Sequence, residues 1–206
     1  EEATLSFASQ VVIADEVGWL ASFYLTDQPV DDAETSVKRL LASGYVVAMI
    51  SGDRQGAVSW LGERVGLARE ACYAQRSPEA KARLLQGLPS PTLYVGDGLN
   101  DTLSLAAADV GVAPLSASEA AREGASAQLM TPGMGGVVKL LNIAKRTRRI
   151  MVQNLFFSAL YNTLALGLVV LMAIPPLVAV LAMAASSLTV TLNAARLAWA
   201  ESDENS

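Results

Sequence analysis

The sequence contains no histidine and only one cysteine, Cys72, and these shortages exclude several kinds of functional site. Without imidazole the chain cannot build the usual histidine metal sites or a serine–histidine or cysteine–histidine catalytic pair. A single thiol excludes an internal disulfide framework and a zinc ribbon. The formal net charge of −5 argues against a general nucleic-acid-binding surface, so we expect no nucleic-acid partner.

Apolar residues are abundant instead, and they are concentrated in the last third of the chain. They make up 52% of the 206 residues, and the mean hydropathy of +0.35 is high for a soluble protein. Residues 155–174 and 177–195 carry no charge, and Pro175-Pro176 interrupts the helical pattern between them. Each run is long enough to cross a bilayer as a helix.

Basic residues flank these runs, with a cluster at 145–149 before the first and Arg196 after the second. Because positive charge stays on the cytoplasmic side, we expect both ends of the hairpin there. The sequence predicts a basic helix and two transmembrane helices within residues 137–199, the helices at about 150–173 and 177–198. A hairpin buried in a soluble protein is the alternative, and it would need a far larger domain.

Strand and helix patterns alternate before residue 137, which is typical of a doubly wound parallel α/β sheet. We assign residues 17–136 to this domain, residues 1–16 to a linker or the remnant of a preceding domain, and residues 200–206 to an acidic tail. The predicted strands are residues 17–26, 45–50, 93–95, 110–112 and 128–130, and the predicted helices begin near residues 31, 54, 77, 101 and 118.

The most informative stretch is Gly96-Asp97-Gly98-Leu99-Asn100-Asp101, which follows the predicted strand 93–95. Residues just past the carboxyl end of such a strand lie in the ligand crevice of an α/β sheet. If the helix has already begun, Asp97 and Asp101 face the same side. Two carboxylates and an amide oxygen are ligands that suit Mg²⁺ beside a phosphate. An ordinary strand–turn–helix junction with Asn100 or Asp101 as a cap is the alternative.

Two further features are related to this arrangement of a Gly-Asp loop directly after a strand. Ser51-Gly52-Asp53 follows the predicted strand 45–50 in the same way. Ser77-Pro78 is a strong helix start, and it places Lys81 in the first helical turn. A cation there is disfavoured by the helix dipole, which indicates an anionic partner.

Polar residues recur on one face of each apolar run. They are Asn154, Ser158 and Asn162, with Tyr161 adjacent, on the first run, and Met183, Ser186 and Ser187 on the second. Such groups face a transport pathway or a neighbouring helix, and periodicity alone leaves both explanations open. The soft thioether of Met183 favours a pathway for monovalent copper.

Taken together, these motifs resemble the heavy-metal (type IB) P-type ATPases, in their C-terminal part and in the copper(I)-transporting branch. The copper pumps that serve cytochrome oxidase assembly are the most similar group. The matching motifs are S-G-D at Ser51–Asp53, P-x-x-K at Pro78–Lys81, G-D-G-x-N-D at Gly96–Asp101, Q-N-L at Gln153–Leu155, Y-N at Tyr161–Asn162, M-x-x-S-S at Met183–Ser187 and L-N-A-x-R-L at Leu192–Leu197.

The resemblance implies a haloacid dehalogenase-like phosphorylation domain that uses ATP and Mg²⁺ and forms an aspartyl-phosphate. It implies the following roles. At the metal site, Asp97 and Asp101 bind Mg²⁺ with Asn100 beside them. At the phosphoryl site, Ser51 and Lys81 hold phosphoryl oxygens, Gly52 leaves room for the phosphate and Asp53 supports the loop. In the membrane, the path of Cu(I) is lined by Tyr161, Asn162, Met183 and Ser187. It also implies a bacterial inner-membrane location with the α/β domain in the cytoplasm.

The chain also departs from the family pattern. It lacks the D-K-T-G-T motif that carries the phosphorylated aspartate, the Cys-Pro-Cys membrane helix and most of the nucleotide-binding domain. We therefore expect these 206 residues to be inactive alone and to need the upstream part of the pump as a partner, together with membrane lipid and a copper chaperone. The family's D-x-x-R is Asp27–Val30 here, without the arginine, and Thr102-Leu103 replaces the usual Ala-Pro.

Two other classes of function remain. One is a non-catalytic membrane-anchored regulator, or a component of a split pump, with a degenerate phosphatase-like domain. The other is a soluble phosphatase with a membrane anchor, which is disfavoured because no D-x-D-x-T-like motif precedes Ser51.

Overall fold

The computed structural model describes residues 9–25, 28–172 and 175–204, apart from the side chains at a few positions within these ranges. The strands in this part are β1 (Ser9–Asp15), β2 (Gly18–Leu25), β3 (Met49–Ile50), β4 (Cys72–Tyr73), β5 (Leu93–Val95), β6 (Val110–Ala113) and β7 (Ala127–Gln128). The helices are α1 (Ala33–Ala42), α2 (Gln55–Val65), α3 (Pro78–Gln86), α4 (Thr102–Ala107), α5 (Glu119–Gly124), α6 (Gly135–Met172) and α7 (Pro176–Glu204). The chain divides into two units, residues 1–138 and residues 139–206.

Parallel pairing dominates the first unit, as the alternating pattern predicts. Strand β3 pairs with β4, and β5, β6 and β7 form a three-stranded sheet in that order. Both ladders continue past the strand ends, because Ser51 N donates to Tyr73 O at 2.8 Å and Gly96 N donates to Val112 O at 3.2 Å. The two motif loops therefore leave the carboxyl ends of parallel strands, where α/β proteins bind ligands.

The predicted strand at 17–26 is present as β2, but it pairs in the antiparallel sense with β1 rather than joining a parallel sheet. Large apolar side chains of this hairpin are exposed, Trp19 by 69% and Leu20 by 58%. Residues 1–8 of the predicted N-terminal segment and residues 26–27 of the D-x-x-R position lie outside the described residues.

Two apolar clusters form the interior of the first unit. One joins α1 and α2 to the strand β4 through Val37, Val58 and Cys72. The other joins α3, α4 and α5 to the central strands β5 and β6 and contains Leu105, which is 1% exposed. Gly111 in β6 is required by this packing, because a Cβ there would lie 2.5 Å from the carbonyl oxygen of Leu105.

The second unit consists of the greater part of two long helices. The predicted basic helix and first transmembrane helix form one uninterrupted helix, α6, of 38 residues. Residues 173–174, at the end of the predicted first span, lie outside the described residues. Within the described residues, no helix combines the length and the apolar character needed to cross a membrane.

Asp32 ties the beginning of the first unit to its end. It directly precedes α1, close to the helix start predicted near residue 31, but its side chain does not cap that helix. Its carboxylate instead accepts hydrogen bonds from Met134 N at 2.9 Å and Gly135 N at 2.6 Å, at the start of α6. Gly133 reaches this position in the left-handed conformation, φ +83°, and a Cβ there would lie 2.6 Å from the carboxylate.

We predict that Asp32→Ala lowers the free energy of unfolding by about 2 kcal/mol, because two N–H groups lose a charged acceptor. Urea denaturation of the whole chain measures this change, followed by the fluorescence of Trp60 after Trp19→Phe and Trp199→Phe have removed the other two tryptophans. Asp31→Ala removes an exposed carboxylate from the same turn and serves as the control. Equal effects of the two substitutions would show that the Asp32 hydrogen bonds contribute nothing.

Candidate active site

Asp97 and Asp101 leave the carboxyl end of β5 in different environments. The helix α4 does not begin until Thr102, and Leu99–Asp101 form a 3-10 turn. The condition for placing both carboxylates on one helix face, a helix that has already begun at Asp97, is therefore not met. Asp97 is exposed, whereas the Asp101 side chain is only 13% exposed. The main-chain oxygen of Asp97 accepts a hydrogen bond from Ser118 N at 2.9 Å, which ties this loop to the start of α5.

The carboxylate of Asp101 is the centre of a buried polar group. Its Oδ1 accepts from Lys81 Nζ at 2.8 Å and from the Tyr94 hydroxyl at 2.7 Å. The Lys81 side chain is 11% exposed, and Tyr94 is buried. The anionic partner predicted for Lys81 thus exists within the chain, and it is Asp101. The contact joins the first turn of α3 to the loop after β5.

The electrostatics of this group keep Asp101 ionised. Partial burial raises the pKa of the Asp101 carboxyl, but the hydrogen bonds from Lys81 and Tyr94 and the Lys81 charge outweigh it, so the pKa lies below its ordinary value. Burial, together with the hydrogen bond to Asp101 and its charge, raises the pKa of Tyr94 far above its ordinary value. Tyr94 is therefore a neutral donor at any physiological pH.

The loop after β3 is ordered by its own polar side chains. The Ser51 hydroxyl donates to Asp53 Oδ2 at 2.6 Å and accepts from Asp53 N at 3.2 Å. These two hydrogen bonds join the first and last residues of the Ser51–Asp53 loop. A Cβ on Gly52 would contact the Arg76 carbonyl oxygen at 3.4 Å, an ordinary separation.

Main-chain hydrogen bonds connect this loop to the segment that carries Lys81. Arg76 N donates to Ser51 O at 3.0 Å, and Gln75 N donates to Asp53 O at 2.9 Å. Gln75 adopts a left-handed conformation, φ 54°, to make this approach. Ser77 then caps α3 by accepting from Ala80 N, and Pro78 occupies the first helical position, as predicted. Lys81 is therefore held on both sides, by the Ser51 loop and by Asp101.

The oxygen atoms around Asp97 fit a hard cation such as Mg²⁺. Asp97 and Asn100 are both exposed beside the ionised Asp101. Magnesium in phosphate sites is held by one or two carboxylates and keeps several waters, so a larger protein cage is not needed. Among the described residues, no group of three or more histidine, cysteine, aspartate or glutamate side chains is arranged to hold a metal.

The polar residues of the second unit are divided between interhelical contacts and exposed positions. Asn193 Nδ2 donates to Asn154 Oδ1 at 2.7 Å, which joins α7 to α6. Met183 is 63% exposed and Asn162 is exposed. The Tyr161 hydroxyl is buried and makes no hydrogen bond within the described residues. No hydrogen bond there joins Tyr161 or Asn162 to Met183 or Ser187.

Tyr94 is the site residue that sequence reasoning missed. The sequence predicts Tyr94 only as the middle residue of the strand β5. Successive side chains of a strand point to opposite faces of the sheet, so Tyr94 faces away from Leu93 and Val95. A tyrosine in a short apolar strand that leads to a carboxylate is a usable signal, because a buried hydroxyl requires a partner.

Comparison with known proteins places the chain in a family. The profile of the haloacid dehalogenase-like hydrolases matches residues 2–109, slightly more than half of the chain. A protein named "Probable copper-exporting P-type ATPase V" from Mycobacterium tuberculosis is 38% identical over 184 residues, and one named "Probable copper-importing P-type ATPase A" from Enterococcus hirae is 33% identical over 188 residues. These matches cover 88% and 90% of this chain but only 23% and 26% of the relatives.

A solved structure agrees with these relatives. The crystal structure of a zinc-transporting PIB-type ATPase in its E2.Pi state matches 95% of this chain and 32% of its own, with a TM-score of 0.84 and 28% identity. The chain thus spans about a quarter to a third of the proteins that it matches. The resemblance predicted from the motifs is confirmed: the chain belongs to the haloacid dehalogenase-like hydrolases, and within them it matches the heavy-metal P-type ATPases.

Proposed function

We propose that this chain is the phosphoryl-handling part and a membrane hairpin of an ATP-driven pump that exports copper(I). The observation that carries the proposal is the contact of Lys81 with Asp101 beside the exposed Asp97, at the carboxyl ends of parallel strands. The relatives named as copper pumps support copper as the cargo. Export is proposed as the direction because the Mycobacterium tuberculosis relative is named a probable exporter, and transport assays of the complete pump would decide it.

The residues of the chain are suited to a phosphoryl group that carries several negative charges. Phosphoryl transfer depends mainly on positioning and on neutralising this charge. Lys81 offers an ammonium whose position is set by Asp101, so little reorganisation accompanies phosphate binding. The Ser51 hydroxyl lies on the loop that is joined to the segment before Lys81. By rotating about its side-chain bond it can donate to a phosphoryl oxygen instead of to Asp53. Asp53 then retains the loop through its main-chain contact with Gln75.

Asp97 and Asn100 would hold Mg²⁺ directly. The ionised carboxylate of Asp101, which is less exposed than either, would add negative charge close to the cation. When bound, Mg²⁺ would neutralise phosphoryl oxygens that Lys81 does not reach. Asp97 suits this role because it is exposed and stands between two glycines, of which Gly96 has space for no Cβ.

We infer that α6 and α7 form the transmembrane hairpin, with both basic ends in the cytoplasm. The support is their uncharged sequence over residues 155–174 and 177–195 and their row of exposed apolar side chains, including Leu155 at 72% and Leu177 at 69%. Lipid would cover such a surface at little cost. Met183, Ser187, Tyr161 and Asn162 would then lie at membrane depth, where polar groups are expensive and mark a pathway.

The rest of the pump would supply what these residues lack. The chain has no D-K-T-G-T aspartate, no Cys-Pro-Cys helix and no complete nucleotide-binding domain, and its relatives are about four times as long. We propose these segments as its working partners, with a copper chaperone as the donor of the ion.

We predict that Asp97→Asn in the complete pump lowers the ATPase rate by about 10²–10³, because one source of charge neutralisation is lost. Copper-stimulated phosphate release measures the rate. Asp31→Asn, which changes the same side chain in an exposed turn, should keep the normal rate. Near-normal turnover of Asp97→Asn would refute the Mg²⁺ role and favour a non-catalytic regulator.

Met183→Ala in the complete pump should lower the amount of copper(I) bound at the membrane site, because a soft sulfur ligand is lost. Metal binding by the purified, reconstituted pump measures this stoichiometry. Met151→Ala is a matched control, since Met151 is 65% exposed against 63% for Met183. Unchanged stoichiometry, with zinc stimulating the ATPase better than copper, would assign the pump to another metal.

The 206-residue chain alone should form no phosphoprotein, because it contains no D-K-T-G-T aspartate. Incubation with labelled ATP and Mg²⁺ followed by an acid quench tests this, with the complete pump as the positive control. An acid-stable label on the chain that hydroxylamine removes would overturn the expectation. It would identify an aspartate of these 206 residues as the nucleophile.

A further inference from the structure

A basic cavity lies between the two helices of the second unit, outside the sites described above. Its volume is about 470 Å³. The residues that line it are Asn142, Lys145, Arg146, Arg149, Ile150 and Arg196. Four of these six side chains are cationic, and none is acidic. Among the described residues, no carboxylate forms an ion pair with Arg146, Arg149 or Arg196.

The sequence places these cations on one surface. Asn142, Arg146 and Arg149 are spaced by four and three residues along α6, so they share a helix face. Arg196 joins them from α7. Arg146, Arg149 and Arg196 are the three guanidinium groups of the cavity.

Arg196 is held in place by the contact between the helices. Its Nη1 donates to Asn193 Oδ1 at 3.3 Å, and Asn193 Nδ2 donates to Asn154 Oδ1 at 2.7 Å. Asn154 Nδ2 also reaches the main-chain oxygen of Val190 at 3.5 Å. This chain of amides fixes α7 against α6 one turn from the cavity. The Arg196 guanidinium is therefore held by Asn193, which is itself bonded to the other helix.

We propose that this cavity binds the phosphate headgroup of an anionic phospholipid. Arginine guanidinium groups suit phosphate because their donors match its oxygens in pairs. At about 470 Å³ the cavity has room for a whole headgroup as well as its phosphate. Ile150 supplies an apolar wall, and Met151, 65% exposed, follows it on α6. A ligand with a phosphate and an adjoining apolar part fits both features.

The position of the cavity along the helices favours lipid over a free anion. Arg149 precedes the uncharged run at Leu155 by six residues, or about 9 Å of helix. Arg196 directly follows the end of the second run at residue 195. Basic pockets between helices at the cytoplasmic boundary of a membrane are suited to phospholipid headgroups. The inference rests on the transmembrane hairpin proposed above.

The experiment uses the whole chain in bilayers of phosphatidylcholine with a minor fraction of phosphatidylglycerol. Native mass spectrometry of the protein released from these bilayers counts the retained lipids. We expect phosphatidylglycerol to be enriched over its bulk fraction. Arg149→Gln should lower this enrichment about tenfold, because the phosphate loses the charge-assisted hydrogen bonds of one guanidinium. Arg149→Gln combined with Arg196→Gln should abolish it.

Two control variants separate the cavity from general surface charge and from misfolding. Arg148→Gln removes the same charge from the same turn of α6, but Arg148 does not line the cavity, so the enrichment should stay. Arg149→Lys keeps the charge but loses the paired donors of the guanidinium, so it should restore only part of the enrichment that Arg149→Gln loses. The proposal is overturned if Arg148→Gln lowers the enrichment as much as Arg149→Gln, or if Arg149→Lys keeps the full enrichment, which would show attraction to charge alone.

Two further arms identify the source of the ligand and test the underlying hairpin. Excess inorganic phosphate should not displace the retained lipid, and full displacement would show a site for free phosphate instead. Alkaline extraction of the chain from pure phosphatidylcholine vesicles tests the hairpin alone. Release there would overturn the hairpin and the lipid site together. Retention without enrichment of phosphatidylglycerol would overturn only the lipid site.

Discussion

The ion pair of Lys81 with Asp101 is the contact on which the candidate site depends. Each charge is nearly buried, so each would be unstable in place without the other. The pair joins a helix start to the loop after β5, and Tyr94 fixes the same carboxylate oxygen from the strand below. Through Ser77 and Arg76 the helix start is in turn tied to the Ser51 loop. Three motifs that are distant in sequence therefore form one rigid arrangement.

Local features of this arrangement were predictable from the sequence, and long-range ones were not. The cap at Ser77, the strand before Gly96 and the helix after Ser118 each depend on a few adjacent residues, and the structure confirms them. The partner of Lys81 was predicted only as an anion, because sequence spacing does not show which carboxylate meets it. The 3-10 turn before α4 was missed, since Asn100 and Asp101 suit a turn and a first helical turn equally well.

The same limit applies to the polar residues of the long helices. Their periodicity predicts that Asn154, Ser158 and Asn162 share one helix face. It does not show whether that face contacts a neighbouring helix or a transport pathway. The structure assigns Asn154 to a bond with Asn193, so interhelical bonding explains this member of the stripe. Met183, largely exposed, has no such explanation within the helix pair. The polar residues of the two helices thus serve assembly at Asn154 of α6 and, as proposed here, recognition at Met183 of α7.

The contact between Asp32 and the main chain of Met134 and Gly135 also sets an order of events during synthesis. The two sides are 102 residues apart, so at about 5–20 residues per second the acceptor waits roughly 5–20 s for its donors. Until then, every strand of the first unit has been made, but its earliest helix has no link to its last segment. The link can close only after Met134 and Gly135 have been made, so the packing of α1 depends on the residues where α6 begins. A chain that ends before Met134 would therefore leave the Asp32 carboxylate without the two N–H donors that it binds here.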